Sequence, residues 1–407
     1  MDPLPPELNL LQEDLSRRRN QETLKSIVEN DDTLTTLTIG NYARKGGCIP
    51  CSQDYFSGIG TALGDNSNIK SLDIDLGMAE RMQTFDSTLF VEGLKRNSSI
   101  RHLTIGGDDR NIAGGFIQKV LDNINNDLIT LSISGSRLID ETSTTLQGGG
   151  DRIVANTLRR CRNLKSLELS FCGVNNELLL PIIEAARGHR LEKLEISLND
   201  GSFGNTECKS LATTLLEDPN SNLQTLVLKF NQIGTEGAIS IANGLSNNNK
   251  LKELNLSFNF GIHESVCSPI FSNLLCNKST INDTYSSNHT LQKLSISGSE
   301  QLLKLNEGLN KRHVAIKKIL LCHSDIDMKP LYGWDKEDEK SLKSLPHVVD
   351  WFGRVKAATG EKGSGIVEDT SPRKLSAIFQ FARDMPLMFV PIPQIAGGGK
   401  KRKINHL

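Results

Sequence analysis

Between Leu223 and Asn259 the same run of apolar and polar positions occurs twice. Leu223, Leu226, Leu228 and Asn231 are followed, 28 residues later, by Leu251, Leu254, Leu256 and Asn259. Leu226 and Leu228 alternate with Thr225, Val227 and Lys229, which predicts a short strand with one buried and one open face. Ile233, Ile241 and Leu245 then continue as a turn and an amphipathic helix. The opening recurs at Leu34, Ile69, Ile100, Leu128, Leu164, Leu191, Leu291 and Ile316, making ten copies with starts 25 to 40 residues apart.

A strand–helix unit of this size cannot bury both of its sides alone, and stacking completes the core, so the pattern predicts a solenoid. Asn231 is placed to bond backbone groups of the neighbouring repeat that no ladder reaches. Spacing and composition resemble the ribonuclease-inhibitor-like leucine-rich repeats over residues 34 to 328. Cys172 stands where that family often has cysteine in place of the asparagine. The resemblance implies an α/β leucine-rich repeat horseshoe of about ten βα repeats, with parallel strands on the concave face, helices on the convex face and helical caps at both ends. The first four repeats depart from it, with Tyr42, Gly77, Asp108 and Ser136 at the asparagine position, so irregular turns are expected there.

The flanks lack the repeat. Residues 5 to 30 read as helix, with Leu24, Ile27 and Val28 spaced to cover the first repeat. After Pro330 both tryptophans appear. Residues 346–352 read as one helix, and Ser371 with Pro372 opens another, lined by Leu375, Ile378, Phe379 and Ala382. The expected division is 1–33, an N-terminal helical cap; 34–328, the leucine-rich repeat domain; 329–390, a C-terminal helical cap; and 391–407, a flexible basic tail.

Charge and composition narrow the partners. The formal net charge of -1 predicts no attraction to nucleic acid or acidic membranes. No apolar run approaches the ~18 residues of a membrane span, and the acidic, proline-containing start does not read as a signal peptide. A cytoplasmic monomer with a protein partner is expected. Lys400, Lys401, Arg402 and Lys403 after three glycines fit a nuclear import signal, although basic residues at a terminus more often serve solubility. The eight scattered cysteines fit reduced thiols. Five N-x-S/T sequons (Asn97, Asn255, Asn277, Asn282 and Asn288) arise by chance in a Ser/Asn-rich chain.

No catalytic constellation, cofactor fingerprint or metal set stands out. Cys48 and Cys51 form a C-x-x-C, but it lies in residues inserted after a strand, without the βαβ core and helix N-terminus that activate such a thiol. Zinc would need two further ligands, and the sequence has no second pair. They read as loop thiols without chemistry. Asp73 and Asp75 share an open strand face, where paired acids are usually just solvated.

Two surfaces remain. Residues 41–53, 77–84, 135–150 and 199–206 are extra to the 28-residue unit and fall after the strand, on one rim, while 277–290 falls on the opposite rim; rigid scaffolds often carry binding function on such loops. The other surface is a ladder. One residue before the asparagine position, successive repeats place Phe171, Leu198, Phe230 and Phe258, beside Glu168, Glu195 and Asn255. Apolar residues rimmed by polar ones mark interaction sites, although stacking that merely finishes the solenoid would look the same. The expected function is a non-enzymatic scaffold binding a protein through the concave face or the rim loops. Alternatives are a GTPase-activating protein resembling the Ran activator, whose acidic tail is replaced here by a basic one, and a sensor-like repeat protein of an innate-immune type, whose nucleotide module is missing.

Overall fold

The computed structural model describes residues 18–40, 53–75, 86–106, 114–135, 152–174, 176–187, 189–199, 203–295, 303–304, 306 and 311–323. Chain contacts divide it into two compact units, 1–277 with 286–311, and 278–285 with 312–407. The first unit holds strands β1 (Thr36–Ile39), β2 (Ser71–Asp75), β3 (His102–Gly106), β4 (Thr130–Ser134), β5 (Ser166–Ser170), β6 (Lys193–Ser197), β7 (Thr225–Val227), β8 (Glu253–Asn255) and β9 (Lys293–Leu294). Helix α1 covers 18–28. Between the strands lie α2 (Gln53–Asp65), α3 (Thr88–Arg96), α4 (Gly114–Asn123), α5 (Ile153–Arg160), α6 (Asn176–Ala186), α7 (Asn205–Leu211), α8 (Thr235–Gly244) and α9 (Glu264–Leu275). Between β8 and β9 the chain also forms α10 (Ile281–Ser286), most of which belongs to the second unit, as does α11 (Lys311–Cys322).

The nine strands form one parallel sheet in sequence order, the architecture of a leucine-rich repeat solenoid. Its register puts Leu37, Leu72, Leu103, Leu131, Leu167, Leu194, Leu226, Leu254 and Leu294 in one row. Ile39, Ile74, Ile105, Ile133, Leu169 and Ile196 make a second. Both rows are buried, because each strand points every other residue at the helices. A one-residue slip would turn both rows to solvent, so the leucine spacing itself fixes the register.

Helices pack over the sheet at distances set by side-chain size. A Cβ on Gly93 of α3 would lie 1.7 Å from the Gly60 carbonyl oxygen of α2, so the two backbones touch there. That crossing brings the rings of Phe56 and Phe90 to 4.8 Å. Helix α7 continues without a break as a π-helical turn, Ala212–Leu216, with Leu215 and Leu216 buried. Successive helices also cap one another. Asn205 Oδ1 accepts from the backbone N–H of Gly234 and Gly237 at the start of α8. Thr235 Oγ1 accepts from His263 N–H at the start of α9. Backbone donors at helix starts, which have no partner within the helix, are thus satisfied by the preceding repeat.

Two expectations are corrected. The tenth copy of the pattern, at Ile316, is not a strand: it lies inside α11. Val314, Ala315, Ile316 and Ile319 are buried together, a helical spacing. The copy also lacks the asparagine three residues before its first apolar position, where His313 stands. Val28 is 66% exposed, whereas Ile27 is buried and Leu24 packs on the core. The remaining readings of the termini, including residues 346–352, 371–382 and 400–403, lie outside the described residues. So do Tyr42, Gly77, Asp108 and Ser136.

Candidate functional site

The chain turns sharply where the strands of repeats five to eight end. Phe171, Leu198, Phe230 and Phe258 all adopt left-handed backbone, with φ of 56°, 59°, 54° and 60°. The turn is held from both sides. Phe171, Leu198 and Phe230 donate their N–H groups to the carbonyls of Ser197, Lys229 and Ser257 in the next repeat. The following asparagines point inward. Asn199 Oδ1 accepts from Cys172 and Val174 N–H, Asn231 Oδ1 from Asn199 N–H, and Asn259 Oδ1 from Asn231 and Ile233 N–H. Asn231 Nδ2 donates to the Ile196 and Leu228 carbonyls. Sending the asparagine inward requires the preceding residue to reverse the strand's twist, which is what φ near +55° does.

Left-handed backbone costs a residue with a Cβ about 1–2 kcal/mol, and glycine nothing. In the fourth repeat the same place is filled by Gly135, with φ of 71° and its N–H on the Ser170 carbonyl. The sequence has glycine at the aligned positions 107 and 298 as well. Four consecutive repeats instead carry phenylalanine or leucine, so the backbone demand alone does not explain those side chains. They are surface groups. Phe171 is 38%, Phe230 39% and Phe258 54% exposed, and Leu198 is half-buried. The rings of Phe230 and Phe258 stack 4.2 Å apart and 4° from parallel. Phe260, two residues on, is 91% exposed.

The charged residues beside this ladder are already engaged. The Lys193 ammonium bonds Glu168 and lies 3.2 Å from Glu195, and Lys229 lies 3.3 Å from the other oxygen of Glu195. Ser197 Oγ donates to Glu195 as well. Burial pushes the Glu195 carboxyl up, but Lys193 and Lys229 more than reverse this, leaving it below its usual range. Burial likewise works against the Lys193 charge, and Glu168 followed by Glu195 raises its pKa above the ordinary value. At the far end of the sheet Lys293 pairs with Glu253 at 3.4 Å.

The sequence therefore located all six proposed contact residues on neighbouring repeats, and the structure brings them together in two groups: the apolar turn positions and an ion-paired cluster. It did not indicate that Lys193 and Lys229 neutralise Glu168 and Glu195. The signal was present, since Lys193 lies on the same strand face as Glu195 and one strand from Glu168. Phe260 was missed because it falls outside the repeat pattern. A second asparagine ladder on the opposite rim was missed too. Asn66, Asn97, Asn248 and Asn288 are buried; Asn97, Asn248 and Asn288 donate to carbonyls of the preceding repeat, and Asn66 donates to the Ile27 carbonyl of α1. Its signal is an asparagine three residues before the first apolar position of the repeat. Two of the sequons, at Asn97 and Asn288, are this ladder. Of the rim insertions, 41–52, 77–84, 136–150 and 200–202 lie outside the described residues, as do Cys48 and Cys51. Phe203, in the last of these insertions, is fully buried.

Among the described residues no group of His, Cys, Asp and Glu is disposed to hold a metal ion, and no helix is long and apolar enough to cross a membrane. The family described as "Leucine Rich repeat" matches residues 160–177 and 220–242, the fifth and seventh repeats. A solved structure titled "Leiomodin-1 Actin-Binding Site 2 (ABS2)" aligns with 43% of this chain and 92% of its own, at 17% identity and a TM-score of 0.29. The repeated leucine pattern and the unbroken parallel sheet give the chain the fold of a leucine-rich repeat solenoid, and the family match falls on two of its repeats.

Proposed function

We propose that the chain is a non-enzymatic interaction scaffold that holds a protein partner on the ladder Phe171, Leu198, Phe230 and Phe258, with Glu168 and Glu195 alongside. The observation that carries this reading is the left-handed backbone under exposed bulky side chains, at positions where the flanking repeats use glycine. Strained backbone persists where a side chain is needed at one orientation, and such residues cluster at binding sites. Phenylalanine also supplies a large contact area at low cost in side-chain entropy, as anchors of interfaces do.

The test compares partner capture from the native cell by the wild-type chain, by Phe230→Gly and by a chain lacking residues 41–53. Captured proteins are identified by mass spectrometry and reconstituted pure. The expected result is that Phe230→Gly weakens the reconstituted complex by about 2 kcal/mol or more, while the loop deletion binds as wild type. Loss on loop deletion with Phe230→Gly tolerated would move the site to the rim.

A further inference from the structure

We infer that the group seated on the ladder is an amphipathic α-helix of the partner protein, lying across the strand ends with an uncharged apolar stripe facing Phe171, Leu198, Phe230 and Phe258. The inference rests on the ladder being the binding surface. Three observations lead to it.

The first is spacing. From β5 to β8 the register is unbroken, so the ladder positions repeat at the strand separation of about 4.8 Å and span about 14 Å in all. The 4.2 Å between the Phe230 and Phe258 rings fits that step. A helix rises 1.5 Å per residue, so residues i, i+3, i+7 and i+10 lie on one face and span about 15 Å. An extended chain places same-face side chains about 6.7 Å apart and falls out of step after one contact.

The second is the backbone. Extended peptides bind largely through main-chain hydrogen bonds at a sheet edge. The ladder lies at strand ends inside the sheet, and the N–H groups of Phe171, Leu198 and Phe230 are already donated to the next repeat. Nothing there rewards an added strand. A helix satisfies its own backbone and asks only for apolar contact.

The third is charge. On the open face of β5 to β9, Glu168, Glu195 and Glu253 are paired with Lys193, Lys229 and Lys293. Acids and lysines cancel three against three, so the face complements an uncharged stripe better than an acidic or basic one.

The test uses two peptide libraries selected against the full chain. One is randomised on a side-chain-stapled helical frame. The other carries the same residues with a central proline that prevents helix formation. Enriched peptides are measured by fluorescence polarisation against wild type, Phe230→Gly and Leu198→Gly, with circular dichroism confirming that both variants are folded. Helical binders with an uncharged stripe, weakened about 30-fold or more by Phe230→Gly and indifferent to salt, are expected. Ladder-dependent binders from the proline library alone would overturn the helix while leaving the ladder as the site. Helical binders whose affinity collapses with salt would overturn the uncharged stripe. Binders from neither library that respond to Phe230→Gly or Leu198→Gly would overturn both the helix and the ladder.

Discussion

At φ of 54° Phe230 is held where its own Cβ is unwelcome, while its ring gains the stack on Phe258. The two effects separate by substitution. Phe230→Ala keeps the backbone cost of about 1–2 kcal/mol and gives up a stack worth about 0.5–1.5 kcal/mol. Phe230→Gly gives up the same stack but relieves the backbone, partly offset by a more flexible unfolded chain. Glycine should therefore be the more stable variant, by up to ~1 kcal/mol, in urea denaturation; alanine equal or better would mean the turn relaxes out of the left-handed region. His189 makes a second residue-scale prediction. It is buried, its Nε2 faces the Cys161 carbonyl at 3.0 Å, and its Nδ1 makes no hydrogen bond. Burial lowers its pKa, against the opposing pull of the Cys161 and Leu158 carbonyls and with Arg162 and Arg190 adding to the fall. The folded chain thus binds a proton less readily than the unfolded one, so stability declines as pH drops through about 6.5, the ordinary imidazole range. His189→Gln should flatten that decline; an identical slope of denaturation midpoint against pH in both proteins would contradict it. The ladder was legible in the sequence because register alone aligns Phe171 with Phe258. Its left-handed backbone was not, because glycine is the usual sign of such a turn and these four repeats lack it. Gly135 at the aligned place was the available clue.

Helix α3 meets α2 through glycine, and this contact sets a prediction whose sign is informative. In an isolated helix Gly→Ala stabilises by about 1 kcal/mol. In Gly93→Ala the new methyl would stand 1.7 Å from the Gly60 carbonyl oxygen, so the helices must separate and the Phe56–Phe90 stack must open. Overpacking of this kind costs about 1–3 kcal/mol or more. A lower thermal midpoint for Gly93→Ala is expected, and a raised one would show that the two helices do not touch. The existence of these helices could be read from apolar periodicity. Their separation could not, since a glycine in a helix pattern marks a close approach only once the neighbouring helix is placed. The opposite failure occurs at Ile316. Its apolar residues match the strand template over six positions, but short apolar runs fit either helix or strand. An asparagine closes the turn before strands β2, β3, β4, β8 and β9 (Asn66, Asn97, Asn125, Asn248 and Asn288), and the Ile316 copy has His313 there, already inside α11. Asp31 and Cys161 before β1 and β5 show that the asparagine supports a strand reading without being required for it.

Across the whole sheet each strand is bonded only to its neighbours, in sequence order from β1 to β9. That order was readable from the repeat itself, because stacked copies of one unit have a single way to bury both faces. What each surface binds was not, since the outward residues are free to vary without changing the stack. Nearest-neighbour connection also governs how damage spreads. Leu226 is fully buried in the central leucine row, between Leu194 and Leu254. Leu226→Asp puts an unpaired carboxylate there, at a cost of several kcal/mol. In a structure whose stability is a sum of unit and interface contributions, that loss falls on the seventh repeat and its two interfaces. The strands at the far end keep all of their own contacts. Hydrogen–deuterium exchange of the variant should therefore show fast uptake in β6, β7 and β8, with β1 to β4 still protected. Uniform loss of protection from β1 to β9 would instead show a sheet that unfolds as one cooperative block. Unchanged protection in β7 would mean that Leu226 does not face the core, and with it the register of the entire leucine row would fail.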